Sequence, residues 1–236
     1  MAIYERGEAR IDYEVIGDGF PVLLIAPGGM KSAAALWHTM PWNPLDALDD
    51  GQYQLIAMDQ RNAGGSFAPV SSSDGWDTYT DDQLGLLDHL GVDRCHVIGM
   101  CIGGPYVLGL LKAAPSRFAS AVLLQPIGLD ENRGAFHEMF DAWADDIAPA
   151  HPEADIATFS AFRTNMYDGD FMFNTTTDEL ADIHTPMLVL MGDDLYHPQS
   201  TSRAIAELAP NVTFVEQWKT DDRLAVTQTT IATLSL

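Results

Sequence analysis

The stretch "GMCIGGPY", residues 99 to 106, sets a thiol inside a frame of glycines. Gly99 lies two residues before Cys101, Gly103 two residues after it, and Gly104 follows. The β-branched run "RCHVI" precedes this stretch and the apolar run "VLGLLKAAP" follows it, so the cysteine falls on a strand-to-helix corner. A nucleophile on such a corner needs small neighbours, because the backbone is strained and the helix packs close behind it. A thiol ionises near about 8.5 and lower at a helix N-terminus, and the thiolate is the attacking species. The chemistry to expect of such a residue is nucleophilic, covalent catalysis. Cys95, the second cysteine, sits in mid-strand with no glycine frame and reads as a small buried hydrophobe. Six residues of extended strand separate the two by ~20 Å, beyond disulfide reach, so both thiols are expected free.

These residues need elements to hold them. "AIYERGEA" and "RIDYEVIG" read as two antiparallel strands joined by a turn at Gly7. Runs apolar on both faces follow at 22–26, 54–58, 95–99, 121–125 and 187–191, with "VTFVEQW" at 212–218, as in a covered parallel sheet. Helical patterns fill 32–48, 77–90, 102–114, 199–209 and 223–234. Strands alternating with helices predict an α/β fold: a mostly parallel sheet of about eight strands, helices on both faces. The alternation fails only over 130–186, where Trp143, Phe136, Phe140, Phe159 and Phe162 recur at partly helical spacing. That segment is expected to be a small helical cap inserted after the sixth strand, with 1–129 and 187–236 forming the core. Ligands in such sheets bind beyond the carboxyl ends of the strands, so the cap would roof the site.

The chain carries 34 acidic side chains against 12 basic, a formal net charge of −22, and only three lysines. That field repels nucleic acid and anionic membrane, and neither is expected as a partner. A surface adapted to high salt and an ordinary acidic surface both fit the composition. The N-terminal stretch is charged from its fifth residue and has no apolar core of a signal peptide, so a cytoplasmic location is expected. No apolar run approaches the ~18 residues of a membrane span. No His/Cys cluster has metal-ligand spacing, and the glycines at 99, 103 and 104 do not match a dinucleotide fingerprint. No metal or cofactor is expected, and oligomeric state is not readable.

The elbow "GMCIG", together with "LLIAPGG" after the third strand, "DQRNAGGS" after the fourth and "MGDDLYHP" after the seventh, resembles the α/β-hydrolase family. The resemblance runs over almost the whole chain, with Cys where Ser is usual. It implies that Gly29 and Ile102 supply the backbone amides of an oxyanion hole, which stabilises the charge developing in acyl transfer. It implies that Asp59 and Arg61 organise their loop, where Asn62 replaces a common Gly. It also implies a triad carboxylate just past the seventh strand, with Asp194 preferred and Asp193 the alternative.

The resemblance places the general base in the loop after the eighth strand, but that loop reads "KTDDR" and no histidine follows His197. Of the seven histidines, His96 and His89 read as structural, and His184 sits at the wrong end of its strand. His137 and His151 belong to the cap, and His38 follows the oxyanion loop and could line the pocket. His197, three residues past Asp194, is the best substitute. Its position beside Pro198 is equally that of a helix start, so the base stays open. A thiolate at a helix N-terminus could acylate with a poor base, whereas Asp194 or a desolvating cap would raise its pKa. Hydrolysis of the thioester would then be slow. The expectation is an esterase-like hydrolase of a small ester, thioester or lactone acting through a Cys101 acyl-enzyme on a small-molecule acyl substrate. The alternative is a weak or inactive relative that binds a small molecule. Acyl preference is expected to rest on cap residues such as Trp143, Phe159, Phe162 and Met166.

Overall fold

A computed structural model describes residues 1–49, 51–219 and 223–235. Its strands are β1 (Ala2–Arg6), β2 (Ala9–Ile16), β3 (Phe20–Ile25), β4 (Tyr53–Met58), β5 (Cys95–Met100), β6 (Phe118–Leu124), β7 (Met187–Leu190) and β8 (Val212–Val215). They form one sheet in the order β1-β2-β4-β3-β5-β6-β7-β8. β2 is antiparallel to β1 and to β4, and every other pairing is parallel. The mostly parallel eight-stranded sheet is therefore the one the apolar runs predict.

Alternate residues of each strand feed two cores. Leu23, Ile25, Val97 and Leu123 point to one face, where residues of the helices α2 (Trp76–His89), α3 (Gly103–Ala113) and α7 (Gln199–Leu208) cover them. Val22, Leu24, Ile98 and Val122 point to the other, against Trp37, Trp42, the short α1 (Pro44–Ala47) and α8 (Arg223–Leu234). Burial on both faces is why these strands carry unbroken apolar runs. Among the described residues, no helix is long and apolar enough to cross a membrane.

One predicted element differs. The pattern over 32–48 is not a single helix but a 3-10 segment, Ala34–Thr39, followed by the single turn of α1. Pro41 and Pro44 explain the break, because a residue before proline is pushed out of the helical region. Met40 and Asn43 are both extended, with φ/ψ of −88°/153° and −114°/112°.

Between β6 and β7 the chain forms α4 (Arg133–Ile147), α5 (Ile156–Tyr167) and α6 (Thr177–Leu180). α4 and α5 pack on each other through an aromatic cluster. Phe140, Trp143 and Phe162 meet edge to face, with centroids 5.2–5.8 Å apart. That geometry suits the ring quadrupoles. The segment is tied to the sheet layer by Trp76, whose Nε1 donates to the Met166 carbonyl at 2.6 Å, and by Asn165, which donates to the carbonyls of Ser72 and Asp74. α4 also packs on the 3-10 turn Gly29–Lys31 that follows β3.

Candidate active site

Cys101 occupies the corner between β5 and α3 with φ at +62°, the left-handed region. For a residue with a β-carbon this costs on the order of 1–2 kcal/mol, and backbone hydrogen bonds hold it there. Its amide donates to Leu124 O at 3.0 Å, and its carbonyl accepts from Gly104 N and Ile127 N at 3.0 and 3.2 Å. The glycine frame is a matter of space. A β-carbon on Gly99 would lie 2.4 Å from Gly103 O, one on Gly103 2.8 Å from Ile25 O, and one on Gly104 2.5 Å from Pro126 Cβ. Each is inside any tolerated contact, so the strand, the helix and their neighbours close up only around glycine.

Opposite the corner, the loop after β3 brings Gly28 and Gly29 in with φ of +119° and +58°, conformations that glycine adopts without penalty. The next loop supports it from behind. Asp59 accepts from the amides of Ala34 and Gly65, both at 2.8 Å. Arg61 is buried in a two-point pair with Asp82 at 2.7 and 3.0 Å. These two residues organise the loop and do not reach the thiol. Asn62 takes a φ of +57°, consistent with a position that glycine commonly fills.

The loop after β7 holds the acid and a histidine together. Asp194 and His197 close a tight turn by reciprocal backbone hydrogen bonds of 3.3 and 3.1 Å. Closing that turn swings the His197 ring onto the carboxylate, with Nδ1 2.7 Å from Asp194 Oδ1, and the same oxygen accepts from the Tyr196 and His197 amides. Asp193 instead pairs with Lys219. The other imidazole nitrogen, Nε2, is buried with no hydrogen-bond partner among the described residues, and His197 is the side chain that acts most on the Cys101 thiol. Such contacts are often loose before substrate binds.

The ionisation of the three groups follows from this packing. Burial is the largest single influence on Cys101 and pushes its pKa up. The hydrogen bond and charge of His197, with the amides of Gly28 and Ile102, outweigh it, so the thiol lies below its ordinary value. Burial pushes His197 down, but Cys101 and Asp194 together carry it above the usual imidazole value. Asp194 is held below the usual carboxylate range, since His197 and two amides outweigh its desolvation. Cys101 and His197 thus shift toward each other, each lowering the cost of ionising the other. Cys95 is the contrast: burial pushes it up to about 12.

Five of the other histidines are engaged elsewhere, and His184 precedes β7 at its amino end. His38 is exposed and bonded to Asn43, so it does not line the site. His137 pairs with Asp168, and His151 pairs with Glu153 and stacks on Phe67. His96 bonds to Ser120, and His89 packs on Tyr4. The loop after β8 can be followed to Lys219, and Thr220 to Asp222 lie outside the described residues.

A cavity of about 240 Å³ opens at the sulfur, lined by Gly28, Gly29, Cys101, Ile102, Ile127, Phe136, Met139, Tyr196 and His197. The residues expected to shape it, Trp143, Phe159, Phe162 and Met166, are not among its lining. They are buried, forming the packing between α4, α5 and their support. The roof is instead Phe136 and Met139, on the flank of α4 that faces the sheet. Met139 reaches over Gly29 so closely that a β-carbon there would meet its sulfur at 2.8 Å. Tyr196, between the acid and the histidine, packs edge to face on Phe136 at 5.3 Å. Met139 and Phe136 are three residues apart, so helical periodicity puts them side by side. Nothing in that spacing says which flank meets the elbow.

Residues 21–223 match the sequence model of the alpha/beta hydrolase fold. The uncharacterized carboxylesterase nap of Bacillus subtilis is 25% identical over 212 residues, which cover 79% of this chain and 70% of its own. Among solved structures, a hydrolase from Pseudomonas aeruginosa aligns with a TM-score of 0.74 at 20% identity, over 100% of this chain and 98% of that one. The enol-lactonase from Burkholderia xenovorans aligns with a TM-score of 0.71 at 19% identity, over 100% of both.

Proposed function

The chain belongs to the α/β-hydrolase fold family, and on that premise we propose that it hydrolyses small esters and lactones through a Cys101 acyl-enzyme. The observation that carries this reading is the joining of three groups. His197 Nδ1 is held 2.7 Å from Asp194, its Nε2 is left without a partner among the described residues, and Cys101 and His197 line the same largely apolar cavity. The relatives named as a carboxylesterase and an enol-lactonase support the substrate class.

In the reaction, the Cys101 thiolate attacks the carbonyl carbon. The oxyanion forms toward the backbone amides of Ile102 and Gly29, while the Gly28 amide steadies the sulfur. Collapse expels the alkoxide, which takes the proton from His197 Nε2 and leaves a thioester with a neutral imidazole. A water then gives a proton to Nε2 as its oxygen attacks the thioester. Collapse releases the carboxylic acid and restores the thiolate–imidazolium pair. Asp194 holds the ring in the tautomer this cycle needs. The segment 130–186 serves as a cap, with Phe136 and Met139 excluding water above the acyl group.

Incubation with an activated ester such as p-nitrophenyl acetate tests the reading. One acetyl mass on Cys101, none on Cys95, and a burst of one nitrophenolate per chain are expected. Label on Cys95 alone, or turnover untouched in Cys101→Ala, would overturn it.

A further inference from the structure

We propose that the acyl group accepted at this site is small, apolar and uncharged, and that a substrate carrying a carboxylate on its acyl side is refused. The inference rests on the hydrolase reading for its substrate chemistry and on the cavity for its selectivity. Beyond the reacting thiol and imidazole, the lining is Gly28, Gly29, Ile102, Ile127, Phe136, Met139 and Tyr196. Among the described residues it contains no Lys or Arg. At about 240 Å³ it falls below the roughly 300–1,000 Å³ of sites for drug-sized ligands.

The cations on neighbouring elements are committed elsewhere. Lys31, at the end of the turn that carries Gly29, reaches away to Asp146 at 2.5 Å on the exposed flank of α4. Arg133, at the start of α4, is drawn onto the backbone carbonyls of Tyr167 and Gly169. Lys219 pairs with Asp193, and Arg61 is buried against Asp82 and Asp74. A substrate carboxylate in the cavity would lose its water and gain no guanidinium or ammonium in return, which is costly for a buried charge. The site does not help it electrostatically, since the one imidazole in the lining, His197, is already paired with the Asp194 carboxylate. The chain's formal charge of −22 adds long-range repulsion, but salt screens that component.

Two matched esters separate these effects: p-nitrophenyl hexanoate, and the mono-p-nitrophenyl ester of adipic acid, which has the same reach with a terminal carboxylate. The expected kcat/KM for the adipate is at least 10²-fold lower, with most of the difference surviving in 2 M KCl, where the surface field is screened. Met139→Arg places a cation in the roof and should narrow the ratio at least 10-fold by raising the adipate value. Met139→Ala, which only removes bulk, should leave the ratio near the parent's. Protection of Cys101 from iodoacetamide by hexanamide and by adipic acid monoamide reads the same preference without turnover, and the neutral amide should protect at a concentration at least 10-fold lower. Equal protection, or a ratio of esters that collapses in 2 M KCl, would overturn the inference. No turnover of either ester with the protection difference intact would strike the hydrolase reading alone.

Discussion

The loops after β7 and β8 lie side by side at the carboxyl edge of the sheet and have divided the work unevenly. The first carries Asp194 and His197 within one four-residue turn, with Tyr196 between them forming a wall of the cavity. The second, where the family resemblance places the base, contributes grip. Trp218 is buried and donates from Nε1 to the Met191 carbonyl at 2.8 Å, and Lys219 pairs with Asp193. Arg203 on α7 forks onto Glu216 and ties the same edge together. The contrast shows what the chemistry requires. On the proposed mechanism an imidazole must reach the elbow sulfur with its far nitrogen on a carboxylate, and the strand that delivers it is free to change. Moving the histidine beside the acid makes the pair depend on one turn, so whatever braces that turn gains importance.

Removing the ring breaks the comparison most directly. His197→Ala should lower kcat/KM for an activated ester by about 10²- to 10⁴-fold, the range of a general acid–base group. His38→Ala, in the exposed segment, should leave it unchanged. Turnover like the parent's in His197→Ala would mean that the base lies elsewhere. The two neighbouring aspartates give the next contrast: Asp194→Asn should cost at least ~10-fold through loss of ring orientation, and Asp193→Asn less than about 3-fold, because its partner is an exposed lysine worth little. Equal losses would mean that the ion pair of the second loop matters as much as the catalytic turn.

The pH dependence follows from the direction of the shifts. His197 and two amides draw the Cys101 pKa down, so its alkylation by iodoacetamide should have a midpoint below the ordinary thiol value of about 8.5. In His197→Ala the upward push of burial is left less opposed, and the midpoint should move up. Cys95, raised to about 12, should stay silent throughout. A parent midpoint no lower than that of a free thiol under the same conditions would contradict the influence of His197 on Cys101.

Grip should register as stability first. Trp218→Phe keeps the ring and removes the donor, leaving Met191 O unpaired, and should destabilise by about 1–3 kcal/mol in denaturant titration. Its activity should fall less than in Asp194→Asn. The smallest effect is global. We expect Tm to rise by a few degrees between low and molar NaCl as repulsion among the carboxylates is screened, and a flat or falling Tm would assign the acidic surface no role in salt.

Much of the site was legible in residue order alone. The glycine frame at 99, 103 and 104 announced a close corner, because a β-carbon is excluded wherever strand and helix approach this nearly. Unbroken apolar runs announced a covered parallel sheet, since strands buried on both faces carry few polar positions. His197 could be singled out from its place after β7 but not assigned. A histidine beside a proline satisfies a helix start equally well, and only the closed turn with Asp194 turns its ring toward the sulfur. The segment 32–48 misled because its apolar spacing is helical while its prolines forbid the conformation. The cavity wall misled for a different reason. Trp143, Phe162 and Met166 have the bulk expected of a pocket, but bulk equally fills the interior of a cap, and periodicity marks a buried face without saying what it is buried against. By itself the sequence determined the fold and the glycine-framed corner that carries Cys101, because these depend on local sterics and on patterns a few residues long. Only the tertiary structure decided that the His197 ring meets Asp194 while Asp193 meets Lys219, and that Phe136 and Met139 line the cavity beside Cys101. The first depends on how one turn closes, and the second on how α4, far along the chain from Gly29 and Cys101, packs over the edge of the sheet.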